Sequence, residues 1–128
     1  RGYIPFHWLQ PGALLVNVSL DDVLPDVVMK AGKVVVDDWR LVKTDSRRLL
    51  GRMYRQGLVV GPGEARRRGA RAIHAELGQL VLGSAPGRTS HQEVVLLNPF
   101  GLSIEDIAVA SRVYESAVRM GLGLELEP

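Results

Sequence analysis

Apolar and polar positions change period several times along this chain, and each change marks an element. After the turn signal Pro11-Gly12, Ala13 to Val18 form a β-branched and aliphatic run, the composition expected of a strand buried on both faces of a parallel sheet. The run stops at Ser19-Leu20-Asp21-Asp22. Pro25 then stands where a first helical turn accepts proline, and Val27, Val28 and Ala31 supply a short apolar stripe that ends at Gly32. Lys33 to Asp38, KVVVDD, predicts the second strand. Strand, short helix and strand in succession make a βαβ crossover, which implies a parallel sheet.

From Trp39 to Gly57, Leu41, Val42, Leu49, Leu50, Met53 and Tyr54 fall at three- and four-residue spacings, so one helix between solvent and sheet is expected. Gly61-Pro62-Gly63 and the following EARRRGAR predict an exposed loop. Ile73 to Leu82 carries Ile73, Leu77, Leu80 and Val81 on one helical face, closed by Gly83 and Pro86-Gly87. Glu93 to Leu97 predicts a third buried strand. The turn Asn98-Pro99-Phe100-Gly101 leads into a long helix that begins at Ser103, with Asp106 at capping-box spacing. Its stripe of Ile104, Ile107, Ala110, Tyr114, Ala117 and Gly121 is expected to cover a sheet or another domain. At the other end Tyr3, Ile4, Phe6, Trp8 and Leu9 form an apolar cluster with no preceding element to pack on, which reads as a carboxyl-terminal piece of something longer.

A length of 128 residues suits one core. The net charge is +2 and the basic residues gather at Arg66, Arg67, Arg68 and Arg71 rather than along one face, so a nucleic-acid partner has little electrostatic basis. No cysteine is present, which excludes disulfide frameworks, thiolate catalysis and zinc ribbons. No apolar run approaches the roughly 18 to 20 residues of a membrane span, and RGYIPFHWLQPG lacks a signal peptide's apolar core. A cytoplasmic protein with no membrane partner is the expectation.

Open α/β sheets bind ligands outside the carboxyl ends of their strands, which directs the search for chemistry. The dinucleotide fingerprint GxGxxG fails, because Arg66 occupies the third glycine position after Gly61 and Gly63. Asp21 and Asp22 end the first strand; neighbours on a strand point oppositely, so at most one faces a cleft, and a cap or turn role is equally open. Asp37 and Asp38 close the second strand in the same way. No metal-ligand spacing joins these four, and no metal site is assigned. His7, His74 and His91 have no nucleophile elbow beside them. His74 is expected packed or at the surface, and Glu76 as a plain helix residue. Asn98-Pro99 is either a turn or, at a strand's carboxyl end, a carboxamide able to bond a carboxamide or ribose.

Taken in order and spacing, NVSLDDV, KVVVDDW, HAELGQLV and EVVLLNPFGLSIEDIAVASRVYESA resemble the carboxyl-terminal half of the ornithine cyclodeaminase and mu-crystallin family. The resemblance implies an α/β fold: the carboxyl-terminal half of a Rossmann-like parallel sheet flanked by helices, plus a long returning helix. Residues 1–100 would hold the later strands of an NAD-binding domain. Residues 101–128 would return to a substrate and dimerisation domain. The glycine fingerprint and the Lys and Arg residues that clamp substrate carboxylates would then lie on an amino-terminal part absent from this chain. The implied activity is NAD-dependent oxidation of an amino-acid substrate in a homodimer. The motifs fit best the branch that cleaves N-(2-amino-2-carboxyethyl)-L-glutamate to 2-oxoglutarate and 2,3-diaminopropionate, as in siderophore precursor supply. Ornithine cyclodeaminases, alanine dehydrogenases, non-catalytic ligand binders of the same family and a truncated remnant are the alternatives. Carried over by position, the catalytic carboxylate is Asp22, five residues after Asn17, with Asp21 as the second choice. A carboxylate suits that task because it holds a cationic amine and stabilises developing iminium charge. Val18, Ser19 and Leu20 would back the nicotinamide, and Asn98 with Pro99 would approach it from the neighbouring strand.

Overall fold

The computed structural model describes residues 2–19, 21–65, 68–124 and 126. Its centre is a four-stranded parallel sheet in which β1 (Leu14–Val16), β6 (Val95–Asn98), β2 (Lys33–Val36) and β5 (Ala75–Glu76) lie side by side in that order. The crossover from β1 to β2 runs through α1 (Pro25–Lys30), and both strands pair in parallel with β6, which lies between them. The parallel sheet read from the sequence is therefore present, with the last strand inserted at its middle.

Alternation sorts the side chains. Val34, Val36 and Leu96 face α1, α2 (Trp39–Thr44) and α3 (Leu49–Arg55), where Val27, Val28, Val42, Leu50 and Met53 complete one core. Burying that many aliphatic side chains, each worth roughly 1.5–3 kcal/mol, is what holds the layers together. β1 departs from expectation. It is an edge strand, and Leu14, Val16 and Val18 are 59%, 43% and 72% exposed, so one of its faces is bare rather than buried.

Two predicted helices take other forms. The stretch after Trp39 breaks into α2 and α3, because the Asp45 carboxylate accepts from the amides of Arg47 and Arg48 and opens a corner between them. Residues 73–76 are extended. Arg71–Ala72 forms β4 beside β3 (Val59–Val60), then Ile73 donates its amide to Val60 and His74 donates to Val34, which hands the chain to β5 and the main sheet. Only Leu77–Val81 is helical (α4). The amino-terminal cluster packs after all: Ile4, Phe6 and Leu9 lean on the core and Ile4 bridges Val23, while Tyr3 and Trp8 stay exposed.

The long helix α5 (Ser103–Met120) forms as expected and ends in a Schellman turn, with Gly121 at φ +64° and the Leu122 amide bonded to the Ala117 carbonyl. Ser103 is not its cap. The helix starts after Leu102 with no side-chain cap, so the predicted Ser103–Asp106 box is not made. Nor does the helix cover anything among the described residues, where none of its side chains is buried. No helix among the described residues is long and apolar enough to cross a membrane.

Candidate functional site

All strands of the main sheet are parallel, so their carboxyl ends form one rim, built from Asn17, Asn98, Asp37 and Glu76 in spatial order. Each follows or closes an aliphatic strand. Asn17, Asn98 and Asp37 are buried there and Glu76 is half-buried, so each needs a partner.

Asn17 and Asn98 find each other. The Asn17 Nδ2 donates to Asn98 Oδ1 at 2.7 Å, and the side chains are only 2% and 1% exposed. The bridge leaves Asn17 Oδ1 and Asn98 Nδ2 buried with no hydrogen-bond partner among the described residues. Turning both carboxamides over leaves the same balance, one donor and one acceptor. An unpaired buried polar atom costs about 1–3 kcal/mol, so this pair stores a demand for a ligand group or water.

Asp37 lies next to this pair. Its Oδ2 accepts from the Gly101 amide at 2.7 Å and its Oδ1 from the Asp38 amide at 2.9 Å. Asp38 caps α2 and also pairs with Arg40; those bonds, the Arg40 side chain first, hold its carboxyl below the usual range. Glu76 was expected as an ordinary helix residue and is a double cap instead. Its carboxylate accepts from the Trp39 amide at 2.7 Å and closes a capping box with Gln79 at the start of α4.

The two candidate aspartates divide clearly. Asp21 is held by Arg52 of α3 at 3.1 Å. The Asp22 carboxylate has no hydrogen bond or ion pair among the described residues, although its backbone carbonyl accepts from the amides of Tyr3 and Ile4. Phe100, from the turn after β6, sits 5.8 Å from the guanidinium of Arg48, one helical turn before Arg52. The 21–22 segment and the 98–101 turn thus contact arginines one helical turn apart, at the middle and at the amino end of α3. Val18 and Ser19 are exposed beyond β1, Pro99 is half-buried, and Leu20 lies outside the described residues.

The glycine-rich segment 61–63 is no phosphate cradle. The Glu64 carboxylate already occupies that turn, accepting from the Gly61 amide at 2.9 Å and the Trp39 indole at 2.8 Å. Those bonds, the Gly61 amide first, keep Glu64 ionised below the ordinary glutamate range, which opposes a bound phosphate. A cleft of about 500 Å³ beside it is lined by Gly61, Glu64, Arg71 and His74 together with Gly32, which precedes β2. His74 bonds the Pro86 carbonyl through Nε2 at 2.8 Å, and among the described residues no cluster of metal-ligating side chains occurs. The residues present therefore fit the nicotinamide end of a dinucleotide, by the open donor and acceptor of the rim, and not its pyrophosphate.

Comparison with known proteins decides the family. The model for the ornithine cyclodeaminase/mu-crystallin family matches residues 3–121. The chain belongs to that family. Within it, the N-((2S)-2-amino-2-carboxyethyl)-L-glutamate dehydrogenase of Staphylococcus aureus is 40% identical over 124 residues, which are 97% of this chain and 34% of the relative. The crystal structure of CmnK superposes with a TM-score of 0.80 at 32% identity, covering 98% of this chain and 35% of that one. The Thermococcus litoralis Delta(1)-pyrroline-2-carboxylate reductase, solved with NADH and L-proline, gives 0.73 at 27% identity over 98% of this chain and 37% of its own. The chain thus spans about a third of the length of the family members it matches. The Rossmann-like expectation for the fold holds.

Proposed function

We propose that this chain supplies the nicotinamide-facing rim of an NAD-dependent dehydrogenase that oxidises N-(2-amino-2-carboxyethyl)-L-glutamate, the resulting imine being hydrolysed to 2-oxoglutarate and 2,3-diaminopropionate. Similarity to the Staphylococcus aureus dehydrogenase over nearly the whole chain supports the substrate. The observation that carries the cofactor reading is the Asn17–Asn98 bridge, whose open donor and acceptor complement a primary carboxamide such as that of nicotinamide.

NAD bound there would accept hydride from the substrate carbon. Val18, Ser19 and Leu20 would back the ring, and Asn98 with Pro99 would border it. Asp22 would hold the substrate nitrogen and take its proton. Its lack of a partner among the described residues supports that role, since a carboxylate already paired, as Asp21 is with Arg52, must give up that pair before it can hold a substrate ammonium. Residues 1–100 would act as the later part of the cofactor domain, and α5 would return to a substrate and dimerisation domain, in a cytoplasmic homodimer. The apolar side chains α5 leaves exposed support such a partner.

Incubating the natural full-length protein with NAD and, separately, the carboxyethyl-glutamate, ornithine, alanine and proline tests the substrate. NADH and 2,3-diaminopropionate are expected from the first. NADH from the other amino acids alone would overturn the assignment.

A further inference from the structure

We infer that Asp37 is the positioning residue for the Asn98–Gly101 turn, and so for the face that turn offers to nicotinamide; the inference rests on the dehydrogenase reading above. β6 fixes Asn98 through its register with Val36, but Pro99, Phe100 and Gly101 lie beyond the strand ladder. Asp37 follows Val36 directly and stands beside that departing turn. Its side chain is 7% exposed, and its Oδ2 reaches across to the Gly101 amide. Gly101 has φ +87°, a left-handed conformation that a side chain would strain, and its N–H points back at β2. A hydrogen bond donated to a carboxylate is roughly twice as strong as one between neutral groups, which suits a turn with no ladder to hold it.

The same bond controls what lies downstream. α5 begins two residues after Gly101, and none of its side chains is buried in the rest of the described chain. Any force on that helix pulls on the turn. With Gly101 tied to the central strand, Asn98 and Pro99 keep their place at the rim, and a misplacement of about 1 Å there is enough to spoil a binding geometry.

The test compares two ligands on the natural full-length protein. ADP-ribose carries every part of NAD except the nicotinamide ring. In Asp37→Ala the Kd for NAD is expected to rise about tenfold, the scale of one charge-assisted hydrogen bond, while the Kd for ADP-ribose stays within about twofold. Equal weakening of both ligands would mean general structural damage and would overturn the inference, as would an unchanged NAD affinity. If Asp37→Ala does not fold, Asp37→Asn, which keeps one acceptor for Gly101, is expected to show a smaller split in the same direction, and its absence overturns the inference. Wild-type protein that binds NAD while both variants match it removes only the role of Asp37. Wild-type protein that binds no NAD removes the dehydrogenase reading as well.

Discussion

In the function we propose, Asp22 is the residue that holds the substrate nitrogen and takes its proton. Asp22→Asn in the full-length protein should lower turnover by about 100-fold or more, the usual scale for losing an acid–base group, with NAD affinity nearly unchanged. Asp21→Asn should behave differently, costing about 0–1 kcal/mol of stability, because its pair with Arg52 is some two-fifths exposed on each side. Turnover that survives in Asp22→Asn and fails in Asp21→Asn would reverse the roles. Glu93 offers a pH test on stability. The Thr89 amide first, and then Lys33, hold its carboxyl below the ordinary glutamate range. A depressed carboxyl stabilises the fold fully above its unfolded pKa of about 4.3 and loses that contribution as pH falls through the lower folded value. Urea midpoints between pH 6 and about 3 should therefore fall less steeply in Glu93→Gln. Asn98 was legible in the sequence as a strand-end carboxamide, but its partner Asn17 was not. Asn17 lies inside an aliphatic run, and nothing local says that β6 will come to lie against β1.

Elements were legible where period and length agreed. β2, β6 and α5 are long or uniform enough for the pattern to have one reading. α2 and α3 were not, since the apolar spacing runs on through the break and only Asp45-Ser46 marks a capping turn. β5 spans two residues, too short for an alternating pattern, and the helical period of 73–82 spread over it. The capping box appeared at Glu76–Gln79 rather than Ser103–Asp106, because the extended β5 leaves the amides of α4 without strand partners and a carboxylate at hand to take them. The α2–α3 corner makes its own prediction. A Cβ on Gly51 would collide with the Asp45 carbonyl and come within 3.2 Å of the Val42 carbonyl oxygen. Gly51→Ala should cost about 1–3 kcal/mol in thermal or urea unfolding; an unchanged or raised stability would show that the corner is slack.

At the scale of the whole molecule, the bare face of β1 and the apolar side chains of α5 leave two large surfaces uncovered. Ile104, Ile107, Val113 and Tyr114 are all more than 60% exposed. Surfaces of that kind drive association. The 128-residue chain alone should sediment as concentration-dependent oligomers, and Ile107→Glu with Val113→Glu should reduce them; a monomer at all concentrations would contradict this. The α/β architecture was readable from the sequence because a parallel sheet imposes aliphatic strands and intervening helices. The strand order was not, since the placing of β6 between β1 and β2 depends on contacts distant in the chain. The most direct measurement is a crystal structure of the natural full-length protein with NAD. The nicotinamide ring is expected against Val18–Ser19, with its carboxamide bonded to Asn17 and Asn98 and Asp22 beside its reactive face. A ring bound away from the carboxyl ends of β1 and β6 would contradict it.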